Sequence, residues 1–212
     1  RALHRAHGVT ILEGTGISRI TGDDRATGVA LTDGRQIDAD LVIMGIGVLP
    51  ETALAGAAGL DLDNGIATDL HGRTSDPLIW AAGDCASTPW QGGRLRLESV
   101  GGAIDMAECV ADNMLGLTRD YVPKAWFWSD QFDAKLQIAG LNTGHDQVVT
   151  RVGQGDHAAS VWYYRQGTLI AVDALNDARA YMIGKRLIEG GISPEAGRPG
   201  CRRSGGASPP HD

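Results

Sequence analysis

An aspartate preceded by glycine stands at the end of an apolar run near the middle of the chain. Residues 78–82 have the composition of a strand buried on both faces, and Gly83-Asp84 follows them directly. The carboxyl ends of strands are where α/β sheets bind ligands, and a carboxylate accepts hydrogen bonds from the hydroxyls of a polyol. A polyol site is one interpretation of this pair. Taken alone, the commoner explanation is an aspartate that caps a turn.

Two glycines precede a predicted helix a little further along the chain. Residues 103–115 carry apolar side chains at helical spacing, and Gly101-Gly102 stands just before them. The amino end of a helix offers free N–H groups and the positive end of a dipole, which suit an anionic oxygen of a ligand. A flexible joint before a helix explains the two glycines equally well.

Three aromatic residues in a row form the third candidate feature. The segment Trp126-Phe127-Trp128 precedes Ser129-Asp130. An aromatic ring beside a flat cofactor covers it and excludes water. Without context, such a cluster belongs more often to a core or an interface.

The elements that position these residues fall into several segments. Asp33-Gly34 is a strong hairpin signal within a predicted antiparallel meander. A continuous apolar run then ends in Gly45-Ile46-Gly47, which is typical of a buried parallel strand. The predicted elements before residue 60 are a helix end over 1–7, strands at 9–12, 17–20, 26–32, 35–37 and 41–44, and a helix over 52–58.

A separate α+β module is predicted after residue 120. Its predicted strands are 135–141, 147–152, 158–165 and 168–174. Asn176 is the predicted cap of a final helix that ends at Gly190-Gly191. The residues from 194 onward are rich in Pro, Gly, Ser and Arg, and we expect them to be disordered.

Composition excludes several function classes. The 212 residues carry a net charge of −7, no basic run reaches five residues and no apolar run approaches a membrane span, so we expect neither a nucleic-acid partner nor a membrane segment. Cys85, Cys109 and Cys201 are widely spaced, which argues against a disulfide framework and a structural metal site. A reduced, cytoplasmic setting is expected. Because the chain opens on a helix end, we expect it to be part of a longer protein.

The order of these motifs resembles the FAD-dependent NADH:ferredoxin reductases that serve cytochrome P450s and ring-hydroxylating dioxygenases. The match runs through Gly83-Asp84-Cys85-Ala86, an arginine loop, residues 96–100 (Arg-Leu-Glu-Ser-Val), the helix and Trp-Phe-Trp-Ser-Asp-Gln, and it extends from about residue 1 to 194. The resemblance implies an α/β fold, namely part of a flavoprotein with two dinucleotide-binding domains. The implied domains are the end of the NAD-binding domain (1–50), the second part of the FAD-binding domain (51–120), a small α+β C-terminal domain (121–193) and the tail (194–212).

The resemblance also implies roles for individual residues. Electrons would pass from NADH through FAD to a [2Fe–2S] ferredoxin or a rubredoxin. Catalytic contacts would come from Trp128, packed near the flavin, and Glu98, which would reach the nicotinamide. The implied cofactor-binding residues are Gly83, Asp84, Ser99 and Val100 for FAD, and Gly45 and Gly47 for NADH.

Two departures from the family pattern keep alternatives open. Gly102 stands where the family usually has asparagine, and no Gly-x-Gly-x-x-Gly fingerprint for a dinucleotide pyrophosphate occurs in the chain. One alternative is therefore a truncated remnant without catalysis, acting only as a binding module. Another is an NADH oxidase or a nitrite-reductase-like flavoprotein.

A basic patch for an acidic ferredoxin is a further expectation, with an ordinary solvated surface as its alternative. Opposite charges on two proteins speed their docking. The predicted patch consists of Arg94, Arg96, Lys124, Arg165, Lys185 and Arg186.

Overall fold

The computed structural model describes residues 1–155 and 157–195. Within this part the chain forms two compact units, Arg1–Leu49 and one that begins at Pro50. Cys201 and almost all of the tail predicted to be disordered lie outside the described residues. The finer division of the chain into domains at residues 50, 120 and 193 stays a prediction.

The first unit is a small antiparallel sheet preceded by a helical turn. The predicted meander is confirmed, with strand order β1-β2-β3, and Gly34 has the positive φ of 90° that the hairpin turn requires. The helix end is also confirmed, and Gly8 after it has a φ of 77°. The elements are α1 (Ala2–Ala6), β1 (Ile17–Thr21), β2 (Gly28–Leu31) and β3 (Gln36–Asp38).

The predicted strands at 9–12 and 41–44 are wrong. Neither segment pairs with another strand of the described chain. The run at 41–44 is also uncovered, and Ile43 is 85% exposed. A parallel strand needs neighbours on both sides and packing on both faces, and the three-stranded sheet of this unit provides neither.

The second unit starts with a short helix and a small mixed sheet. The predicted helix at 52–58 is confirmed as α2. The buried strand predicted at 78–82 is wrong, because only Trp80 there makes an isolated bridge, to Arg73, and Leu78 is exposed. The pairing strand comes later, at Ala86. The elements are α2 (Ala53–Ala57), β4 (Ile66–Ala67), β5 (Ala86–Trp90) and β6 (Gly93–Leu95), with β4 parallel and β6 antiparallel to β5.

The long helix α3 (Val100–Met114) packs on this sheet region and begins three residues earlier than predicted. Its buried face and the end of the loop before β5 form one apolar core. Below that core, Asn113 ties the helix end to the following loop, donating to the carbonyls of Arg119 (2.8 Å) and His71 (3.0 Å). The core consists of Ala81, Ala86, Met106, Cys109, Val110 and Tyr121.

A five-stranded antiparallel sheet with one helix against it follows. The strand order is β7-β8-β11-β10-β9, and α4 packs on β11, β8 and β10. The four predicted strands are confirmed within one residue at either end, and the aromatic segment forms a fifth strand at the sheet edge. The elements are β7 (Trp126–Gln131), β8 (Ala134–Gly140), β9 (Gln147–Val152), β10 (Ala159–Arg165), β11 (Thr168–Leu175) and α4 (Ala178–Glu189).

The cap of α4 is one residue later than predicted. The carboxylate of Asp177 accepts a hydrogen bond from the N–H of Ala180 at 2.9 Å. Asn176 instead has a positive φ of 47°, and its side chain accepts from the N–H of Lys135. The asparagine therefore fixes the turn before the helix rather than the helix itself.

A search of the described residues for a helix long and apolar enough to cross a membrane finds none.

Candidate functional site

The Gly83-Asp84 turn lies against the first turn of α3. Gly83 has a φ of 80°, and a Cβ built on it would lie 3.6 Å from the Cβ of Ala103. Asp84 is exposed, whereas the strand that starts two residues later at Ala86 is buried. The turn therefore presents a carboxylate to solvent beside the helix start.

The start of α3 is built by a serine cap that the sequence interpretation did not identify. The hydroxyl of buried Ser99 accepts a hydrogen bond from the N–H of Gly102 at 3.0 Å. The hydroxyl is thus engaged in the helix, and a cofactor contact of Ser99 stays a prediction. Val100 is 61% exposed. The N–H groups of Val100 and Gly101 open the helix and have no intrahelical carbonyl to bond, which is the arrangement that suits an anionic oxygen.

Two tryptophans of β7 extend this region. The rings of Trp126 and Trp128 stack with their centroids 5.4 Å apart and an interplanar angle of 20°. Trp126 lies against the first turn of α3, because a Cβ built on Gly101 would fall 2.2 Å from the indole Nε1. Trp128 is 40% exposed. Contacts therefore run from the Gly83-Asp84 turn through the start of α3 to Trp126 and Trp128.

Arg96 connects two of the predicted site residues. Its Nη1 donates to the carbonyl oxygen of Asp84 at 3.0 Å and forms an ion pair with the carboxylate of Glu98. The Arg96 side chain is only 10% exposed, and its buried Nε has no hydrogen-bond partner among the described residues. Glu98 is thus held on the same guanidinium as the Asp84 turn.

Arg94 and Arg96 of the predicted basic patch both bond other residues of the chain, and their docking role stays a prediction. Arg94 donates to the carbonyl of Thr68 at 2.7 Å and to both oxygens of Ser87, so it ties the residue after β4 to β5. Sequence reasoning missed the role of Arg96, although a signal was present. Arg96 and Glu98 are two residues apart, and in extended backbone such residues point to the same side.

The other basic residues of the predicted patch divide into two groups. Arg165 donates to the side chain of Gln91 at 3.0 Å, and Lys185 lies over the ring of Trp126. Lys124 and Arg186 are exposed. The docking role stays a prediction for these four.

Gly45 and Gly47 belong to the first unit. Both are exposed in irregular backbone, and Gly47 has a φ of 96°. The predicted strand that would deliver them is absent from the described chain, and their NADH contacts stay a prediction.

Both cysteines of the described chain are free thiols. The buried Cys109 donates to the carbonyl of Arg119 at 3.4 Å, and burial raises the pKa of its thiol. Cys85 is partly buried and donates to the carbonyl of Ala82 at 3.6 Å. The Cys85 thiol thus bonds a neighbouring backbone carbonyl within the chain.

A cavity of about 470 Å³ lies elsewhere, between the edge strand β9, β10 and the start of α4. Arg151, Trp162 and Arg179 are among the residues that line it. None of the predicted site residues borders it, so the candidate site is an open surface around α3 and β7 rather than this cavity.

Two family models cover most of the chain. The model for pyridine nucleotide-disulphide oxidoreductases matches residues 1–107, and the model for a reductase C-terminal domain matches residues 126–199. Together they confirm the predicted fold class, a flavoprotein reductase with two dinucleotide-binding domains followed by a small C-terminal sheet domain.

Individual relatives agree with these models. The chain is 41% identical to the 5,5'-dehydrodivanillate O-demethylase ferredoxin reductase subunit of Sphingobium sp., over 92% of this chain and 48% of that protein. It is 40% identical to rhodocoxin reductase of Rhodococcus erythropolis, over 91% and 46%. The crystal structure of the ferredoxin reductase for the CYP199A2 system from Rhodopseudomonas palustris superposes with a TM-score of 0.87 at 39% identity, over 92% of this chain and 49% of that one.

The chain spans about half the length of the curated relatives that it matches. The predicted resemblance to FAD-dependent ferredoxin reductases is confirmed by these matches. The chain belongs to the pyridine nucleotide-disulphide oxidoreductase family, and its relatives there are ferredoxin reductases.

Proposed function

We propose that this chain is the part of a ferredoxin reductase that holds the flavin ring and faces the electron acceptor. In the whole protein, electrons would pass from NADH through FAD to a [2Fe–2S] ferredoxin or a rubredoxin that serves a P450 or a ring-hydroxylating dioxygenase. One observation carries the proposal: the Asp84 turn, the start of α3 and the stacked tryptophans form one connected surface.

The residues on this surface fit parts of FAD. The exposed carboxylate of Asp84 suits a ribityl hydroxyl, and the N–H groups of Val100 and Gly101 suit the ring atoms that gain negative charge on reduction. The exposed ring of Trp128 suits one face of a flat ring system. No residues for the pyrophosphate follow from the sequence, because it contains no Gly-x-Gly-x-x-Gly fingerprint.

Bound FAD would supply hydride acceptance from nicotinamide and release of single electrons. The chain's own groups would orient and shield the ring. Asp84 holds the ribityl chain, the start of α3 lowers the energy of negative charge beside it, and Trp128 excludes water. Arg96 binds Oε1 of Glu98, which leaves Oε2 of Glu98 to accept from the nicotinamide amide. Gly45 and Gly47 would lie by NADH.

The names of three relatives support a ferredoxin-type protein as the electron acceptor. Two of them are named for ferredoxin or rhodocoxin reduction, and the third serves a P450 system. In this chain, Lys124, Arg165 and Arg186 of the predicted patch are exposed, and such cations suit an acidic partner. We place the protein in the cytoplasm, where ferredoxins and free thiols are both maintained.

A titration with FAD tests the site directly. We expect weak, saturable binding to the chain, seen as a shift of the visible flavin band, because the chain supplies the proposed ring and ribityl contacts but contains no pyrophosphate fingerprint. Asp84→Asn should weaken binding about tenfold, because a hydrogen bond to a charged carboxylate becomes one to a neutral amide oxygen. The matched control is Asp133→Asn, an exposed aspartate in the β7–β8 turn. Equal affinities of wild type and Asp84→Asn would refute the assignment.

The acceptor is tested with the longer gene product that contains this chain. NADH-dependent reduction of a [2Fe–2S] ferredoxin should exceed reduction of oxygen. Faster transfer to oxygen would favour the NADH oxidase alternative.

The binding-module alternative rests on the missing pyrophosphate fingerprints. It shares with the main proposal the expectation that the purified chain is colourless, since weakly held FAD is lost during purification. A chain that stays yellow through purification would refute that expectation. A colourless chain with no saturable FAD binding would favour the binding module.

A further inference from the structure

Trp126 lies where three elements meet. Strand β7 carries it, and the first turn of α3 packs against its ring. A Cβ built on Gly101 would stand 2.2 Å from the indole Nε1, 2.4 Å from Cε2 and 2.6 Å from Cζ2. Gly101 is helical, so its backbone conformation admits any residue. The glycine is required there by the space that the indole occupies.

The opposite contacts of Trp126 come from α4 and from its own strand. The Nζ of Lys185 lies 5.2 Å from the centroid of the Trp126 ring and 3.9 Å from the carboxylate of Glu189. Trp126 and Trp128 alternate with Phe127 along β7 and therefore point to the same side of the strand. Their rings stack 5.4 Å apart at 20°. The ring of Trp126 is thus held from several sides and supports the more exposed ring of Trp128.

We propose that Trp126 is a positioning residue, which fixes the ring of Trp128 relative to the start of α3. A helix start and an aromatic ring can act on one flat ligand only if the distance between them is held constant. Gly101 sets that distance by letting the indole of Trp126 approach the helix backbone. The role of Trp128 toward a flavin rests on the proposed function, whereas the fixed geometry does not.

The stacked geometry has its own spectroscopic signature. Two indoles stacked this closely couple their transitions and give an exciton couplet in the far-ultraviolet circular dichroism. The couplet should be present in the wild-type chain without any cofactor. Its absence from Trp128→Phe would assign it to the stacked tryptophans. Gly101→Ala should abolish it, because the new Cβ displaces the indole of Trp126. The matched control is Gly56→Ala in α2, where a built Cβ meets Leu62 at an ordinary 3.5 Å.

A double variant separates positioning from general loss of structure. Gly101→Ala should lower the denaturation midpoint of the wild-type chain. In a Trp126→Leu background it should leave the midpoint unchanged or raise it, because the clash is gone and alanine favours helix. If Gly101→Ala does not fold alone, a folded Gly101→Ala/Trp126→Leu chain supports the proposal and an unfolded one overturns it. A couplet that survives Gly101→Ala also overturns it.

The consequence for ligand binding is measured separately. Trp126→Phe, with Trp128 retained, should weaken the binding of FAD about three- to tenfold, which is the factor expected for losing one well-placed aromatic pair. If the wild-type chain binds no FAD, the proposed function fails, and the couplet and the double variant still decide the positioning role. If FAD binds and Trp126→Phe leaves its affinity unchanged, Trp126 has no effect on the site and the inference fails.

Discussion

Two apolar segments of this chain have similar composition, but only one of them forms a buried strand. The run at 41–49 forms no strand, and most of its large apolar side chains are exposed. Strand β11 lies in the middle of a five-stranded sheet, where Val172 and Ala171 are fully buried. β11 has β8 on one side, β10 on the other and α4 across one face. The first segment has no such neighbours in its unit.

The difference shows what an apolar pattern does and does not specify. Composition gives a segment the ability to form a buried strand, but the ladder partners and the covering helix must come from elsewhere in the structure. β11 obtains β10 through the short turn Gln166-Gly167 and α4 directly after it, whereas its pairing with β8 spans two intervening strands. Pairing between elements joined by a short turn can be predicted from the sequence, whereas pairing between distant segments cannot.

The largest predicted contrast concerns one leucine in each segment. Leu169 of β11 is 4% exposed, and Leu41 is 75% exposed. Leu169→Ala should lower the free energy of unfolding by about 2–5 kcal/mol, because it removes buried methyl groups and leaves a cavity. Leu41→Ala should change it by no more than about 0.5 kcal/mol, since little surface is buried there. Urea denaturation followed by circular dichroism measures both.

The pair is informative because the chemical change is identical. Similar losses of unfolding free energy in the two variants would mean that the 41–49 run is packed in solution. That result would contradict the contrast between the two segments.

The second prediction uses the distribution of tyrosines, all of which lie in the second unit. Burial raises the pKa of Tyr121 to about 12, from an ordinary value of 10.0. Burial, followed by the hydrogen bond to Asp173, raises the pKa of Tyr163 to about 12. Folding thus favours the neutral phenols, so this stability is complete below about pH 10 and is lost as the pH rises toward about 12.

The expected loss is on the order of 2 kcal/mol for a fully buried phenol. The free energy of unfolding, measured by urea denaturation at successive pH values across this range, should fall by about this amount. Tyr121→Phe should reduce this loss of stability with rising pH. A response as steep in the variant as in the wild-type chain would contradict the assignment.

The sequence predicts the locally connected elements well. The meander of the first unit, the strands β8 to β11 and both long helices follow from turn residues and periodicity. The errors at 41–44 and 78–82 share one cause, since both segments were assigned as fully buried strands from apolar composition alone. Parallel pairing depends on residues far away in the chain, and no local signal reports it.

The candidate site was predictable in part. Asp84, Val100 and Trp128 were identified through the resemblance, and the structure connects their elements through Ala103, Gly101 and Trp126. The supporting contacts of Arg96 and Trp126 were missed, because they depend on side chains that meet only after folding.

The third and smallest effect concerns the helix caps. Ser99 caps α3 in the candidate site, and Asp177 caps α4 in the sheet module. Each change to alanine should cost about 1 kcal/mol, since one N–H of the first turn loses its acceptor. Ser99→Ala should also weaken the binding of FAD, whereas Asp177→Ala should not. Paired urea and FAD titrations measure this, and an equal loss of FAD affinity in both variants would show that the site depends on overall stability only.

The central claim is that the Asp84 turn, the start of α3 and the tryptophans of β7 bind one flavin ring together. Quenching of tryptophan fluorescence by FAD tests it most directly, with Trp128→Phe compared against Trp90→Phe in β5. We predict saturable quenching whose amplitude is reduced in Trp128→Phe, retained in Trp90→Phe and shifted to higher FAD concentration in Asp84→Asn. Quenching that does not saturate, or that is the same in Trp128→Phe as in the wild-type chain, would contradict the account.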